Sequence, residues 1–204
     1  MFQFFYMYRS FLLIFLLLCS SSIPSTAKWS TIPTLSNAGL ERNADQAFKK
    51  KNYDQAIEYY SQVIATNPTN INEILLKRAE AYKAIGKYEE AILDFSNLLK
   101  TVPNNFDVLQ RRGMLYLNKL NNSVKALEDF DAAHNKALNQ TTIQKDYLAE
   151  LKAQRGMAKL YLGMFDDGIQ DCRNAEEILP LNPNVLSCIV TYNSYIKNYD
   201  DALT

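Results

Sequence analysis

Leu75–Pro103 reads LLKRAEAYKAIGKYEEAILDFSNLLKTVP. Leu75, Ala79 and Tyr82 fall on one face of a helix, because positions three and four apart are stacked on a 3.6-residue period. Gly86-Lys87 supplies a turn. Ala91, Phe95 and Leu98, at i, i+4 and i+7, form the inner face of a second helix, and Pro103 stops it. The two apolar faces are expected to pack as an antiparallel pair. Ala91 is small because a large side chain there would push the helices apart, and Phe95 fills the space between them.

The same pattern recurs on both sides of this stretch. A small residue followed by an apolar one stands at Ala56-Ile57, Ala91-Ile92, Ala126-Leu127, Gly168-Ile169 and Ala202-Leu203, at spacings of 35, 35, 42 and 34 residues. Tyr60, Phe95, Phe130 and Cys172 follow four residues later, and Val63, Leu98, Ala133 and Ala175 three after that. Pro68, Pro103 and Pro180 close three of the units. A period of this length is the mark of a stacked repeat, in which each unit buries its apolar face on its neighbours.

These anchors resemble the tetratricopeptide repeat, whose 34-residue unit carries small, aromatic and proline positions in this order. Leu40, Ala44, Ala56, Tyr60, Val63 and Pro68 match in the first unit. Leu75, Ala79, Tyr82, Ala91, Phe95, Leu98 and Pro103 match in the second, and Leu109, Gly113, Tyr116, Ala126, Phe130 and Ala133 in the third. The fourth is weaker: Gly156, Gly168, Cys172, Ala175 and Pro180 fit, but the turn at Leu162-Gly163-Met164 is awkward to register. The resemblance implies an all-α solenoid of antiparallel helix pairs. The expected units are 37–70, 72–105, 106–140, 149–182 and an incomplete 183–204, whose first helix runs from Pro183 to Lys197 and whose second begins at Asp200.

Residues 1–27 read as a cleavable signal peptide: Arg9, the apolar run Phe11–Cys19, then a small and polar stretch ending Ser25-Thr26-Ala27. The alternative is an uncleaved membrane anchor, against which the nine-residue run counts, being far short of the ~20 that span a bilayer. Residues 28–36 follow as a short leader. Sequons at Asn121 and Asn139 both fall where the repeat pattern places loops, so both are candidate glycosylation sites in a secretory chain. Cys19 leaves with the signal. Cys172 and Cys188 lie on neighbouring helices and form either a disulfide or two buried thiols, depending on whether their Cα atoms come within ~7 Å.

Composition narrows the function classes. Lys+Arg and Asp+Glu are both 22, so no strong field recruits nucleic acid. One histidine and three cysteines leave little for His/Cys metal sites or His-based triads, and no catalytic cluster occurs at a usable spacing. No catalytic residue, cofactor, metal or small-molecule substrate is therefore expected, and the partners are expected to be proteins or peptides. The repeat resemblance implies that the first helix of each pair lines a groove. Leu76, Glu80, Lys83, Gln110, Met114, Leu117, Met157 and Leu160 are the expected groove residues, with Glu41, Asp45, Glu73 and Asp107 adding charge. A register error would instead put Met114 and Met157 in the core.

The two-carboxylate clamp that some of these repeats use for acidic chaperone tails does not fit. Glu41 and Asp45 carry the wrong sign, and only Arg111 matches. In layout the chain resembles lumenal co-chaperones of the endoplasmic reticulum that join such repeats to a J domain. It has no His-Pro-Asp, since His134 precedes Asn135. The leading reading is a lumenal adaptor that binds unfolded or apolar client segments, with secretion as the alternative location. The other reading is a structural scaffold for one partner in a secreted or membrane-associated complex. Self-association through the C-terminal unit is expected in either case.

Overall fold

The computed structural model describes residues 36–140 and 143–203, with side chains as far as Lys197. The expected signal peptide, most of the leader and Thr141 of the second sequon lie outside the described residues. Within them the chain is helical and contains no strand. The helices are α1 (Asn37–Lys49), α2 (Tyr53–Ala65), α3 (Ile71–Ala84), α4 (Tyr88–Thr101), α5 (Phe106–Asn118), α6 (Ser123–Leu138), α7 (Lys145–Tyr161), α8 (Phe165–Glu176) and α9 (Pro183–Leu203). They pack as pairs α1/α2, α3/α4, α5/α6 and α7/α8, each pair stacking on the next, and α9 lies against α7 and α8.

Turn chemistry explains the pairing. Each helix-to-helix turn inside a pair has one residue with positive φ: Lys51 (61°), Gly86 (79°), Asn121 (49°) and Gly163 (78°). The turns close with Asn52 N donating to Ala47 O (2.9 Å), Lys87 N to Tyr82 O (3.0 Å) and Met164 N to Lys159 O (2.9 Å). These bonds satisfy carbonyls that the ending helix leaves free. In the third pair Asn122 N reaches back one residue further, to Tyr116 O (2.8 Å), which accommodates an extra residue between Gly113 and Ala126. The turn at Leu162-Gly163-Met164, awkward in the sequence, is thus the same turn as the first two. Asn105 and Asn122 cap α5 and α6 by accepting from Val108 N (3.2 Å) and Lys125 N (3.1 Å).

The core follows the anchors. Tyr60, Phe95, Phe130 and Cys172 are buried, as are Ala56, Ala91 and Ala126. Glycine is a steric requirement at Gly113 and Gly156. A Cβ at Gly113 would sit 2.8 Å from the Phe130 ring, and one at Gly156 would sit 2.8 Å from the Gly168 carbonyl oxygen.

One expectation about the C-terminal unit is corrected. α9 runs unbroken to Leu203, so no second helix starts at Asp200. On α9, Ile189 and Tyr192 pack on the core, whereas Leu186, Val190 (62% exposed), Tyr195 and Ile196 are exposed beside Ser187, Asn193 and Ser194.

Cys172 and Cys188 are joined as a disulfide with Cα atoms 5.8 Å apart, tying α9 to α8. A bridge closing a loop of about 15 residues contributes roughly 3 kcal/mol by restricting the unfolded chain. Reduction is therefore expected to lower the melting temperature, and unreduced protein should weigh two hydrogens less than reduced protein. An unchanged melting curve under reductant would show that packing alone holds α9.

Candidate partner groove

Two clefts open between the first helices of successive pairs. The larger, about 570 Å³, lies between α5 and the start of α7 and is lined by Lys83, Tyr88, Gln110, Arg111, Met114, Lys119, Tyr147 and Glu150 among others. The second, about 390 Å³, lies between α1 and α3 and has mostly apolar walls, with Phe48, Tyr60 and Leu76 ringed by Asp45, Lys77, Glu80 and Arg111. Arg111 borders both.

The charges around these clefts are largely paired within the protein. Lys77 Nζ bridges Glu41 (3.1 Å), Asp45 (3.2 Å) and Glu73 (3.0 Å), joining α1 to α3. Burial works against its charge, but hydrogen bonds to the three carboxylates hold its pKa well above the ordinary lysine value. The Tyr60 hydroxyl donates to Asp45 (2.6 Å); its burial, then this carboxylate, pushes the phenol far up. Arg111 binds Asp107 (2.8 Å) and Glu80 (2.9 Å), and Lys83 also pairs with Glu80. Lys119 Nζ sits 5.5 Å from the Tyr88 ring centre. The hydroxyl of Tyr147, which borders the larger cleft, is buried with no hydrogen-bond partner.

Of the expected groove residues, Leu76, Glu80, Lys83, Gln110 and Met114 border the clefts. Three of the expected groove residues are core instead: Leu117 is 4% exposed, Met157 8% and Leu160 1%. Leu160 lies against Gly168, where an added Cβ would meet its Cδ2 at 2.8 Å. An apolar side chain beside a glycine gains more by packing on the next helix than by standing in a wet cleft. Leu117 and Met157 line a small recess of about 70 Å³. Asn121 is exposed on its turn, and Asn139 is exposed at the end of α6, where its Nδ2 donates to Asn135 O (2.9 Å).

Behind the groove runs a buried polar ladder that the sequence reading missed. Arg78 makes a two-pronged pair with Asp94 (2.8 and 2.7 Å), Arg112 with Asp129 (2.9 and 2.7 Å) and Arg155 with Asp171 (2.7 and 2.6 Å). Each pair links the two helices of one unit. Arg78 and Arg112 also donate back to the preceding unit, to Ser61 and Ser96 at 2.9 Å each. Burial works against the Asp171 charge, but bonds from Arg155 and Lys159 hold its carboxyl below the ordinary range. The signal was present in the sequence. Each arginine directly precedes Ala79, Gly113 or Gly156, and each aspartate stands three residues after Ala91, Ala126 or Gly168.

Among the described residues no group of three or more His, Cys, Asp and Glu could hold a metal ion, and no helix is long and apolar enough to cross a membrane. Residues 44–70 and 73–105 each match the tetratricopeptide repeat family. A tetratricopeptide repeat protein from Parabacteroides merdae has the same fold at 19% identity and a TM-score of 0.68, over 80% of this chain and 61% of its own. This chain therefore spans less than two thirds of that protein's length. MamA from Desulfovibrio magneticus RS-1 matches at 21% identity and a TM-score of 0.67, over 82% of this chain and 90% of its own. The first such domain of Spaghetti (RPAP3), solved with an HSP90 peptide, matches at 19% identity and a TM-score of 0.53, over 64% of this chain and 96% of its own. No curated protein matches the chain. The repeated turns, the two matched units and the shared fold together identify tetratricopeptide repeats in this chain.

Proposed function

We propose that the chain is a protein-interaction module of the secretory pathway that holds apolar or unfolded client segments, as a co-chaperone-type adaptor. The observation that carries this reading is the pair of adjoining clefts, the smaller with mostly apolar walls and the larger setting Met114 and Tyr88 among polar groups, with charges largely paired within the protein. An extended segment laid across them could seat one apolar side chain by Leu76 and Phe48 and another by Met114 and Tyr88. Because Arg111, Lys77 and Glu80 already have partners, the groove selects weakly for charge, which suits clients of unrelated sequence. The Cys172–Cys188 disulfide supports an oxidising compartment, because such bonds persist there and are rare in the cytosol. The endoplasmic reticulum lumen is the location proposed, with glycans on Asn121 and Asn139.

The test is binding of a fluorescent apolar peptide to the wild type and to a Leu76→Glu/Met114→Glu variant. Loss of two apolar contacts of ~1.5 kcal/mol each is expected to weaken binding by roughly a hundredfold while helicity stays unchanged. Equal affinity would overturn the groove reading. Under the alternative, a scaffold for one partner, the fixed array Lys77–Glu41–Asp45–Glu73 serves as a selective rim. Unrelated apolar peptides should then fail to compete with one another.

A further inference from the structure

The third rung of the ladder differs from the first two. Arg78 and Arg112 donate Nη1 to Ser61 and Ser96, but the corresponding position in α6 is Asp131, half-exposed and 3.5 Å from Arg155 Nη1. Arg155 Nη1 lies closer, at 3.2 Å, to Nδ1 of His134. His134 occupies the row that holds Ile64 in α2 and Leu99 in α4, and it is 8% exposed. A titratable ring thus replaces an aliphatic side chain at the junction of the third and fourth units.

The chemistry of the pair fixes the state of the ring. A guanidinium has only donors, so Nδ1 must accept and the ring proton sits on Nε2. Nε2 is buried without a hydrogen-bond partner. Protonation would remove the acceptor lone pair and set a second cation against Arg155. The charged groups facing the ring are Arg155 and Lys152 of α7, Asp131 of its own helix and Asp171 of α8. Asp171 is already engaged by Arg155 and Lys159, and Asp131 is half in water, so neither offers the imidazolium a committed partner.

We infer that the packing of α6 on α7 is an acid-sensitive joint, released when His134 takes up a proton. Burial, then Arg155 and Lys152, hold the His134 pKa below its ordinary 6.5, and the two aspartates offset only part of this. The sign follows. Below pH ~6.5 the unfolded chain binds a proton that the folded chain refuses, so stability falls as pH drops through that value and continues to fall to the folded-state pKa. α7 also carries Tyr147 and Glu150 to the larger cleft, so one wall of the groove rides on this joint.

His134 is the sole histidine, so the full chain without a histidine tag gives one imidazole NMR signal. That signal is expected to titrate below 6.5. Amide exchange in α6 and α7, corrected for intrinsic rate, should be faster at pH ~5.5 than at ~7.5, with α3 and α4 unchanged. The melting temperature should fall by about 3–5 °C per pH unit below 6.5. His134→Leu, which copies Leu99, should abolish both effects. A signal titrating at or above 6.5, or acid-accelerated exchange that persists equally in His134→Leu, would overturn the joint. If the variant does not fold, the wild-type titration and exchange map decide alone.

Discussion

Arg112→Ala is expected to destabilise the protein by about 3–5 kcal/mol, because it leaves the Asp129 carboxylate buried without its cation. Arg112 supplies both prongs to Asp129 and a third bond to Ser96, so the loss reaches two units at once. The size comes from the stranded charge and not from the intrinsic worth of the pair. Replacing both partners with apolar residues of similar volume, Arg112→Met with Asp129→Leu, should therefore recover most of the loss. Chemical denaturation of the two variants measures the difference. If the single variant loses less than ~1 kcal/mol, Asp129 is reached by water and the ladder is a surface feature.

Phe130→Ala is expected to cost about 3–5 kcal/mol, since a fully buried ring is removed and the helices around it close only in part. Gly113 makes the prediction specific. The Phe130 ring fills the space that a Cβ on Gly113 would need, at 2.8 Å. Gly113→Ala alone should destabilise the protein, although alanine favours a helix by ~1 kcal/mol over glycine. In a Phe130→Ala background the ring contacts are gone and only the 3.2 Å approach of Asp129 Cβ remains, so Gly113→Ala should cost markedly less than in the wild type. A double-mutant cycle reads this coupling from the four melting curves. Additive effects would mean that the two side chains do not share the space.

The repeat was legible in the residues because its anchors are steric and local. Ala91 is small where two helices touch, Phe95 is large where a gap must be filled and Gly86 turns with positive φ, so the spacing of such residues carried the helix pairs and most of their turns. The charged ladder was equally periodic but went unread. Arg112 and Asp129 look like solvated helix residues until their helices are seen to face each other across a dry interface. The groove was half legible: Leu76 and Met114 stand where expected, whereas Leu117 and Leu160 turn inward. One position along a helix rotates a side chain by about 100°, and the boundary between core and cleft is narrower than that.

The amino-acid order by itself determined the all-helical pairing, the places of the turns and the approximate reach of each unit, since these depend on contacts within about 35 residues. Only the tertiary structure decided that Leu117, Met157 and Leu160 turn inward, that α9 continues to Leu203, and that Cys172 meets Cys188. It also decided that His134 sits against Arg155, 21 residues on in the chain. These outcomes turn on how one unit is rotated against the next. That rotation is set by close packing at Gly113, Gly156 and Gly168, where a few tenths of an ångström decide which side chain is covered.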